Sequence, residues 1–244
     1  MPPSSILILG GTREAGELAS RLAGVDGLRV VLSLAGRTKS PAVPACETRI
    51  GGFGGAEGLA RYIEAEAIDL IVDATHPFAT KISFNAAEAA DAAGVRRLAL
   101  LRPEWIASPE DRWTMVGDIE AACEALPPMA RVFLALGSQH IAAFSGRSDC
   151  RFVVRMVDVP SSPLPLRSHV VIAGRPASGV EDEERLLRSH DVTHVVCRNS
   201  GGDGASAKLA AARKIGVEVI MIRRPAAPRG PVFTSVDALA AAIF

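Results

Sequence analysis

Short runs of β-branched and aliphatic residues alternate with amphipathic stretches along this chain, and that alternation constrains the fold more than any other feature. The runs cover residues 6–9, 30–34, 70–72, 98–101, 132–136, 152–157, 170–173, 194–197 and 219–222. They are almost continuously apolar, as strands are when both faces of their sheet are covered. Between them, apolar residues recur at helical spacing. Ala15, Leu18, Ala19 and Leu22 form one stripe; Ala56, Leu59, Ala60 and Ile63 a second; Ala86, Ala89, Ala90 and Ala93 a third. Ile119, Ala122, Cys123 and Leu126, then Val236, Leu239, Ala240 and Ile243, repeat the pattern. Each stripe gives a helix one face to lay on a sheet. The alternation predicts an α/β fold of parallel sheets flanked by helices. Only 5% of the residues are aromatic; the alanine-rich stripes compensate by letting helices approach the strands closely.

Nine strands fit one sheet or two, and 244 residues suffice for one large domain or two small ones. Pro127-Pro128 breaks the pattern near the middle, just before the run at 132–136. This predicts two domains of similar size, 1–128 and 129–244, with a ligand cleft between them. The stretch Ser161-Ser162-Pro163-Leu164-Pro165 reads as a loop inside the second.

Charge excludes some partners. The 27 Lys and Arg residues balance 27 Asp and Glu, which argues against a general nucleic-acid binder. Only Lys39, Lys81, Lys208 and Lys214 are lysines, leaving 23 arginines. Arginine forks suit carboxylates and phosphates, although codon bias explains the same excess. Cys46, Cys123, Cys150 and Cys197 form no CxxC pair, and His140, His169, His190 and His194 show neither HxH nor HExxH spacing. No metal site and no disulfide framework are expected. Cys197, inside a strand pattern, is expected to be buried rather than nucleophilic. No apolar run spans a membrane, and residues 1–5 carry no charged leader, so the chain reads as soluble and cytoplasmic.

The first run enters Gly10-Gly11-Thr12-Arg13-Glu14-Ala15-Gly16. Glycines at a strand-to-helix turn let backbone N–H groups approach a phosphate, and the helix dipole favours an anion there. Thr12 replaces the second glycine of GxGxxG, so a tight turn capped by Thr12 explains the string equally. Dinucleotide folds place an acid about 20 residues beyond the glycines on the ribose 2′-hydroxyl, whereas an arginine accommodates a 2′-phosphate. Here Ser33-Leu34-Ala35-Gly36-Arg37-Thr38-Lys39 holds no acid, which favours NADP over NAD. The alternative is an ordinary solvated basic loop.

The run at 70–72 leads into Asp73-Ala74-Thr75-His76-Pro77-Phe78-Ala79. Open α/β sheets bind ligands at the carboxyl ends of their strands. Pro77 suits a first helical position, which makes Thr75 or His76 the cap. Asp73, Thr75 and His76 there can also position a substrate or relay a proton; a structural, hydrogen-bonded His76 is the simpler reading. In the second half, Arg198-Asn199-Ser200-Gly201-Gly202-Asp203-Gly204 repeats the strand, glycine loop and helix logic, with Lys208 beyond. Its amides can hold phosphate while Arg198 and Lys208 supply charge; Asp203 is discordant. A loop capped by Asn199 or Ser200 is the alternative. Gly137-Ser138-Gln139-His140 either lines a site or caps another helix.

Together these strings resemble the precorrin-6A and cobalt-precorrin-6A reductase family of cobalamin biosynthesis. The resemblance rests on Ile8-Leu9-Gly10-Gly11-Thr12-Arg13-Glu14, the segment 73–79, Gly137-Ser138, Arg198-Asn199-Ser200-Gly201-Gly202 with Lys208, and Ile222-Arg223-Arg224-Pro225. The string from Asp73 to Ala79 is the most specific. The resemblance implies two Rossmann-like domains with parallel sheets flanked by helices and the ligands between them. It implies NADPH-dependent reduction of one double bond in the tetrapyrrole precorrin-6A, giving precorrin-6B. Cofactor contacts carry over to Gly11, Thr12, Arg13, Ser33, Gly36, Arg37, Thr75, Asn199, Ser200, Gly201, Gly202 and Lys208. Catalysis falls to His76 and Asp73, with Thr75, His76, Phe78 and Ser138 facing substrate and Arg102, Arg155 and Arg175 meeting its carboxylates. Implied partners are the tetrapyrrole and, transiently, other enzymes of the pathway. The alternatives are an NADH-dependent cobalt-precorrin-6A reductase and a non-catalytic binder of NADP and tetrapyrrole.

Overall fold

The computed structural model describes residues 2–36, 45–157, 160, 162–174, 176, 177 and 179–244. In chain order the elements are β1 (Ser5–Leu9), α1 (Arg13–Leu22), β2 (Arg29–Leu34), β3 (Glu47–Ile50), α2 (Ala56–Ala65), β4 (Leu70–Asp73), α3 (Thr80–Ala93) and β5 (Arg96–Leu100). Then come β6 (Trp113–Val116), α4 (Ile119–Glu124), β7 (Arg131–Ala135), β8 (Arg151–Met156), β9 (His169–Ala173) and α5 (Val180–Ser189). β10 (His194–Arg198), α6 (Ala207–Ile215), β11 (Glu218–Ile222), β12 (Val232–Phe233) and α7 (Val236–Ile243) close the chain. All nine expected strands are present, shifted by a residue or so.

The strands form two parallel six-stranded sheets, ordered β12-β5-β4-β1-β2-β3 and β6-β11-β10-β7-β8-β9. The chain divides into two units, one of residues 1–103 with 225–244 and the other of 104–224. The expected boundary at 128/129 is therefore corrected. Pro127-Pro128 lies within the second unit, between α4 and β7. The reason is pairing: β6 joins β11 in the second sheet, while β12 joins β5 in the first. Each sheet thus takes its sixth strand from a segment that local order along the chain assigns to the other half.

The strands that escaped the sequence reading, β3, β6 and β12, all lie at sheet edges. An edge strand buries fewer side chains, so Glu47–Ile50 can be polar and Val232–Phe233 can be short. α5 escaped because its sequence is dominated by charge and buries only Glu183 and Leu187.

In the first unit, α1 and α7 cover one face of the sheet through Leu18, Leu22, Leu239 and Ile243, packed on Ile6, Ile8 and Leu32. α2 and α3 cover the other through Leu59, Ile63, Ala86 and Ala90, packed on Leu7, Val31 and Ile71. The connection into α2 is unusually tight. A Cβ added at Gly58 would stand 1.8 Å from the backbone oxygen of Phe53. Gly58→Ala must therefore push the 51–55 loop away, and we expect a loss of about 1–3 kcal/mol or more, the range for overpacked sites. Chemical denaturation measures it; a variant as stable as the parent would contradict the close approach. Among the described residues, no helix is long and apolar enough to cross a membrane.

Candidate functional site

In the first sheet the chain runs from β1 outward to β3, then returns to start β4 on the other side of β1. The carboxyl ends of β1 and β4 therefore flank the point where strand order reverses, which is where such sheets bind ligands. The turn at residues 11–13 and the segment 73–78 meet there. Thr12 Oγ1 donates to Ala74 O at 2.7 Å and accepts from Ala15 N at 3.1 Å. The hydroxyl thus joins the two strand ends and caps α1, so the turn's own anion-binding capacity lies in its backbone amides. Gly11 has φ of 109°, a region that favours glycine, with nothing within 4 Å of where a Cβ would be. Backbone is open to a ligand at that position.

Arg13 is exposed. Glu14, in the first turn of α1, pairs with Arg102 at 3.0 Å, and Thr12, Thr75, Pro77 and Leu101 line a small pocket beside that pair. Arg102 was expected to meet a ligand carboxylate; here it already holds one from the protein.

The β4 end is a buried polar cluster. Asp73, 6% exposed, accepts from Thr75 Oγ1 at 2.7 Å and from Thr75 N at 3.3 Å. Arg97 Nη1 stands 3.6 Å from its other oxygen. Thr75 Oγ1 also lies 3.2 Å from Ser83 Oγ on α3. The expected helix start at Pro77 is corrected: α3 begins at Thr80 with Ala79 as its cap and no side-chain capping bond. Thr75 is held by Asp73, and His76 closes its own turn, with Nδ1 accepting from Phe78 N at 3.2 Å. Because Nδ1 accepts, a neutral His76 carries its proton on Nε2. The rings of His76 and Phe78 are 5.9 Å apart.

At the end of β2, Ser33 is buried and its Oγ accepts from Arg49 Nη1 at 2.9 Å. Gly36 has φ of 73°. Arg37 and Arg175 lie outside the described residues.

The second sheet repeats the topology, with its reversal between β7 and β10. Gly137 precedes a 3-10 turn at Ser138–Phe144, and no side chain caps it. Arg198 Nη1 stands 3.5 Å from His140 Nε2. The loop after β10 is organised around Trp105. Asn199, 1% exposed, accepts from Trp105 N at 2.9 Å and donates to Trp105 O at 3.0 Å. Trp105 Nε1 donates to Gly202 O at 2.7 Å. Lys208 Nζ lies 4.7 Å from the Trp105 ring centroid and donates to Ala205 O. Gly201 and Gly202 have φ of 66° and 72°. The Asn199 and Lys208 side chains, expected at the cofactor, are both buried and bonded within the loop's own frame. Nor does Asn199 or Ser200 cap α6, which begins at Ala207.

Arg155, expected at a substrate carboxylate, holds one from the protein. Its Nη1 and Nη2 donate to the two oxygens of Glu183 at 2.7 and 3.0 Å, and Glu183 is wholly buried. Cys197 is buried as expected, and that burial pushes its thiol pKa up.

Burial also lowers the Lys208 pKa below its ordinary 10.5. The unfolded chain then binds this proton more tightly than the native one, so stability rises with pH through the alkaline range up to 10.5. Thermal melts against pH should show the parent gaining stability relative to Lys208→Met as pH rises towards 10.5. Identical profiles would mean the ammonium is solvated.

Trp105, Glu183 and Arg49 were not anticipated. A tryptophan in a polar inter-strand loop is a weak signal for the first; the partners of the other two depend on strand neighbours that spacing does not reveal.

Residues 5–243 match the family described as precorrin-6x reductase CbiJ/CobK. The chain belongs to the precorrin-6x reductase family. It is 46% identical over 233 residues to a precorrin-6A reductase of Rhodobacter capsulatus, covering 95% of this chain and 92% of that one. A cobalt-precorrin-6A reductase of Priestia megaterium is 30% identical over 251 residues, covering 95% of each chain. A solved structure of CobK precorrin-6A reductase superposes with a TM-score of 0.92 at 44% identity, covering 98% of this chain and 95% of that one. The two sheets are therefore those of two Rossmann-like α/β domains. The strings that carried the family resemblance fall on their carboxyl edges: 8–14 at β1, 73–79 at β4, 137–138 beyond β7 and 198–202 at β10.

Proposed function

We propose that this reductase uses NADPH to reduce one double bond of precorrin-6A, giving precorrin-6B in cobalamin biosynthesis. The observation that carries the reading is the switch point of the first sheet, where an open glycine turn is bonded directly to the segment holding Thr75 and His76. A dinucleotide laid across such a point has its phosphates at the turn and the N-terminus of α1. When bound, the nicotinamide supplies the hydride. Gly11, Thr12 and Arg13 hold the phosphates, the first two through their amides. Ser33, Gly36 and Arg37 receive the 2′-phosphate. In the second unit, Ser200, Gly201 and Gly202 offer backbone, while Asn199 and Lys208 fix the loop's shape.

His76 lies nearest the chemistry in this reading. With Nδ1 engaged by Phe78 N, its Nε2–H donates a hydrogen bond that orients the conjugated system, and solvent delivers the proton that balances the hydride. Asp73 enters as a positioning residue that holds Thr75. Phe78 and Ser138 contact the macrocycle, and Arg102 meets a substrate carboxylate by exchanging it for Glu14. The cobalt-free substrate is preferred because the cobalt-free relative is the more similar, 46% identical against 30%. A cytoplasmic location and contacts with neighbouring pathway enzymes are part of the same proposal.

Anaerobic incubation with NADPH and precorrin-6A tests it: absorbance at about 340 nm, the reduced nicotinamide band through which such hydride transfer is followed, falls as substrate is consumed. Cofactor binding with unchanged absorbance would sink the reductase reading and leave a non-catalytic binder.

A further inference from the structure

We infer that Arg49, on an edge strand, reads the ribose 2′-phosphate of the cofactor and sets the preference for NADPH over NADH; this rests on the NADPH reading above. β2 and β3 are parallel neighbours, and Ser33 and Arg49 are direct register partners near their carboxyl ends. The end of β2 is where a dinucleotide fold meets the ribose 2′ position. Ser33 stands there in place of the acid that would select the 2′-hydroxyl, and its Oγ accepts from Arg49 Nη1 at 2.9 Å.

The guanidinium is already fixed in place. Nη1 also donates to Gly51 O at 3.0 Å, and Nη2 donates to Gly52 O at 3.1 Å. Its plane centre lies 3.8 Å from the Phe53 ring centroid. Three neutral acceptors and an aromatic ring hold the charge without cancelling it, and among the described residues no carboxylate pairs with Arg49. Glu47, two residues earlier on β3, is taken by Arg29 at 2.9 Å. Five N–H groups with three bonds made leave Nε–H and one Nη2–H for a ligand.

That combination suits a dianionic phosphate. A held fork loses little rotamer freedom on binding, and a charge lacking a counter-ion gains most from an anion. The glycine run explains itself in the same terms. Gly51, Gly54 and Gly55 have φ of 124°, 82° and 98°, and no atom lies within 4 Å of a Cβ at any of them. The loop that presents its carbonyls to Arg49 thus also keeps the surrounding space clear. A purely structural Arg49 would pin the loop and nothing more, and the two roles separate by ligand.

The test compares adenosine 2′,5′-bisphosphate with adenosine 5′-monophosphate by calorimetry on the parent, Arg49→Met and Arg49→Lys, with circular dichroism melts on each. The expected result is that the parent prefers the 2′-phosphorylated ligand, that Arg49→Met loses about tenfold to a hundredfold for it with little change for the monophosphate, and that Arg49→Lys falls between. If the parent prefers the bisphosphate and Arg49→Met keeps that preference, the role of Arg49 is overturned while the NADPH reading stands. Equal losses for both ligands overturn it in favour of a loop pin. A parent without preference overturns the NADPH reading, and this inference with it. Should Arg49→Met fail to fold, Arg49→Lys decides, since it keeps charge but cannot reproduce the fork.

Discussion

Glu183→Ala lowers the unfolding free energy by about 3–5 kcal/mol, the cost of leaving one member of a buried ion pair without its partner. Glu183 has no exposed surface and accepts three hydrogen bonds: two from Arg155, at 2.7 and 3.0 Å, and one from Ala177 N at 3.0 Å. Arg155 lies 4.9 Å above the Phe133 ring, deep in the second unit, where water does not replace a lost carboxylate. The double variant Glu183→Leu with Arg155→Met should recover most of the loss, because it removes both charges and retains volume. Urea denaturation of the three proteins measures this. A single variant as stable as the parent, or a double variant no better than the single, refutes the account.

His76→Ala is expected to leave NADPH affinity unchanged and to lower kcat by about 10²–10³-fold, the range for removing one positioned hydrogen-bond donor. In the proposed binding mode the backbone carries the phosphates, so binding is expected to survive the change. Nδ1 is held by Phe78 N, so the imidazole offers a defined hydrogen-bond donor at Nε2 and the loss should appear in turnover. Equilibrium titration with cofactor and single-turnover absorbance separate the two quantities. A fully active variant would remove His76 from the mechanism.

Much of the fold was legible because its signal is local. Alternating apolar runs and the stripes through Leu18, Leu59 and Leu239 arise from residues a few positions apart, and each became a strand or a buried helix face. Thr12 was recognisable as a cap because a cap acts within one turn, on Ala15 N. The same local rule failed at Pro77. His76 and Thr75 found other partners, Phe78 N and Asp73, and the helix began three residues later at Thr80. At the site, strand-end glycines and polar residues were visible as types, but their hydrogen-bond partners were not. Asn199 and Lys208 are readable as polar residues of a glycine loop, but nothing local reveals that Trp105 stands beside both.

The sequence by itself determined an α/β chain of two parallel sheets, the position of its glycine turns and the family those turns belong to. Periodicity and turn chemistry are properties of a few consecutive residues, and no distant contact is needed to read them. The tertiary structure alone decided which half owns β6 and β12, and which charge each arginine meets. Thr12 bonds Ala74 across 62 positions and Asn199 bonds Trp105 across 94. β12 pairs with β5 after the whole second unit has intervened. Such pairings follow from which strand edges and buried charges are left to be satisfied once the sheets have formed, and that depends on the assembled surfaces.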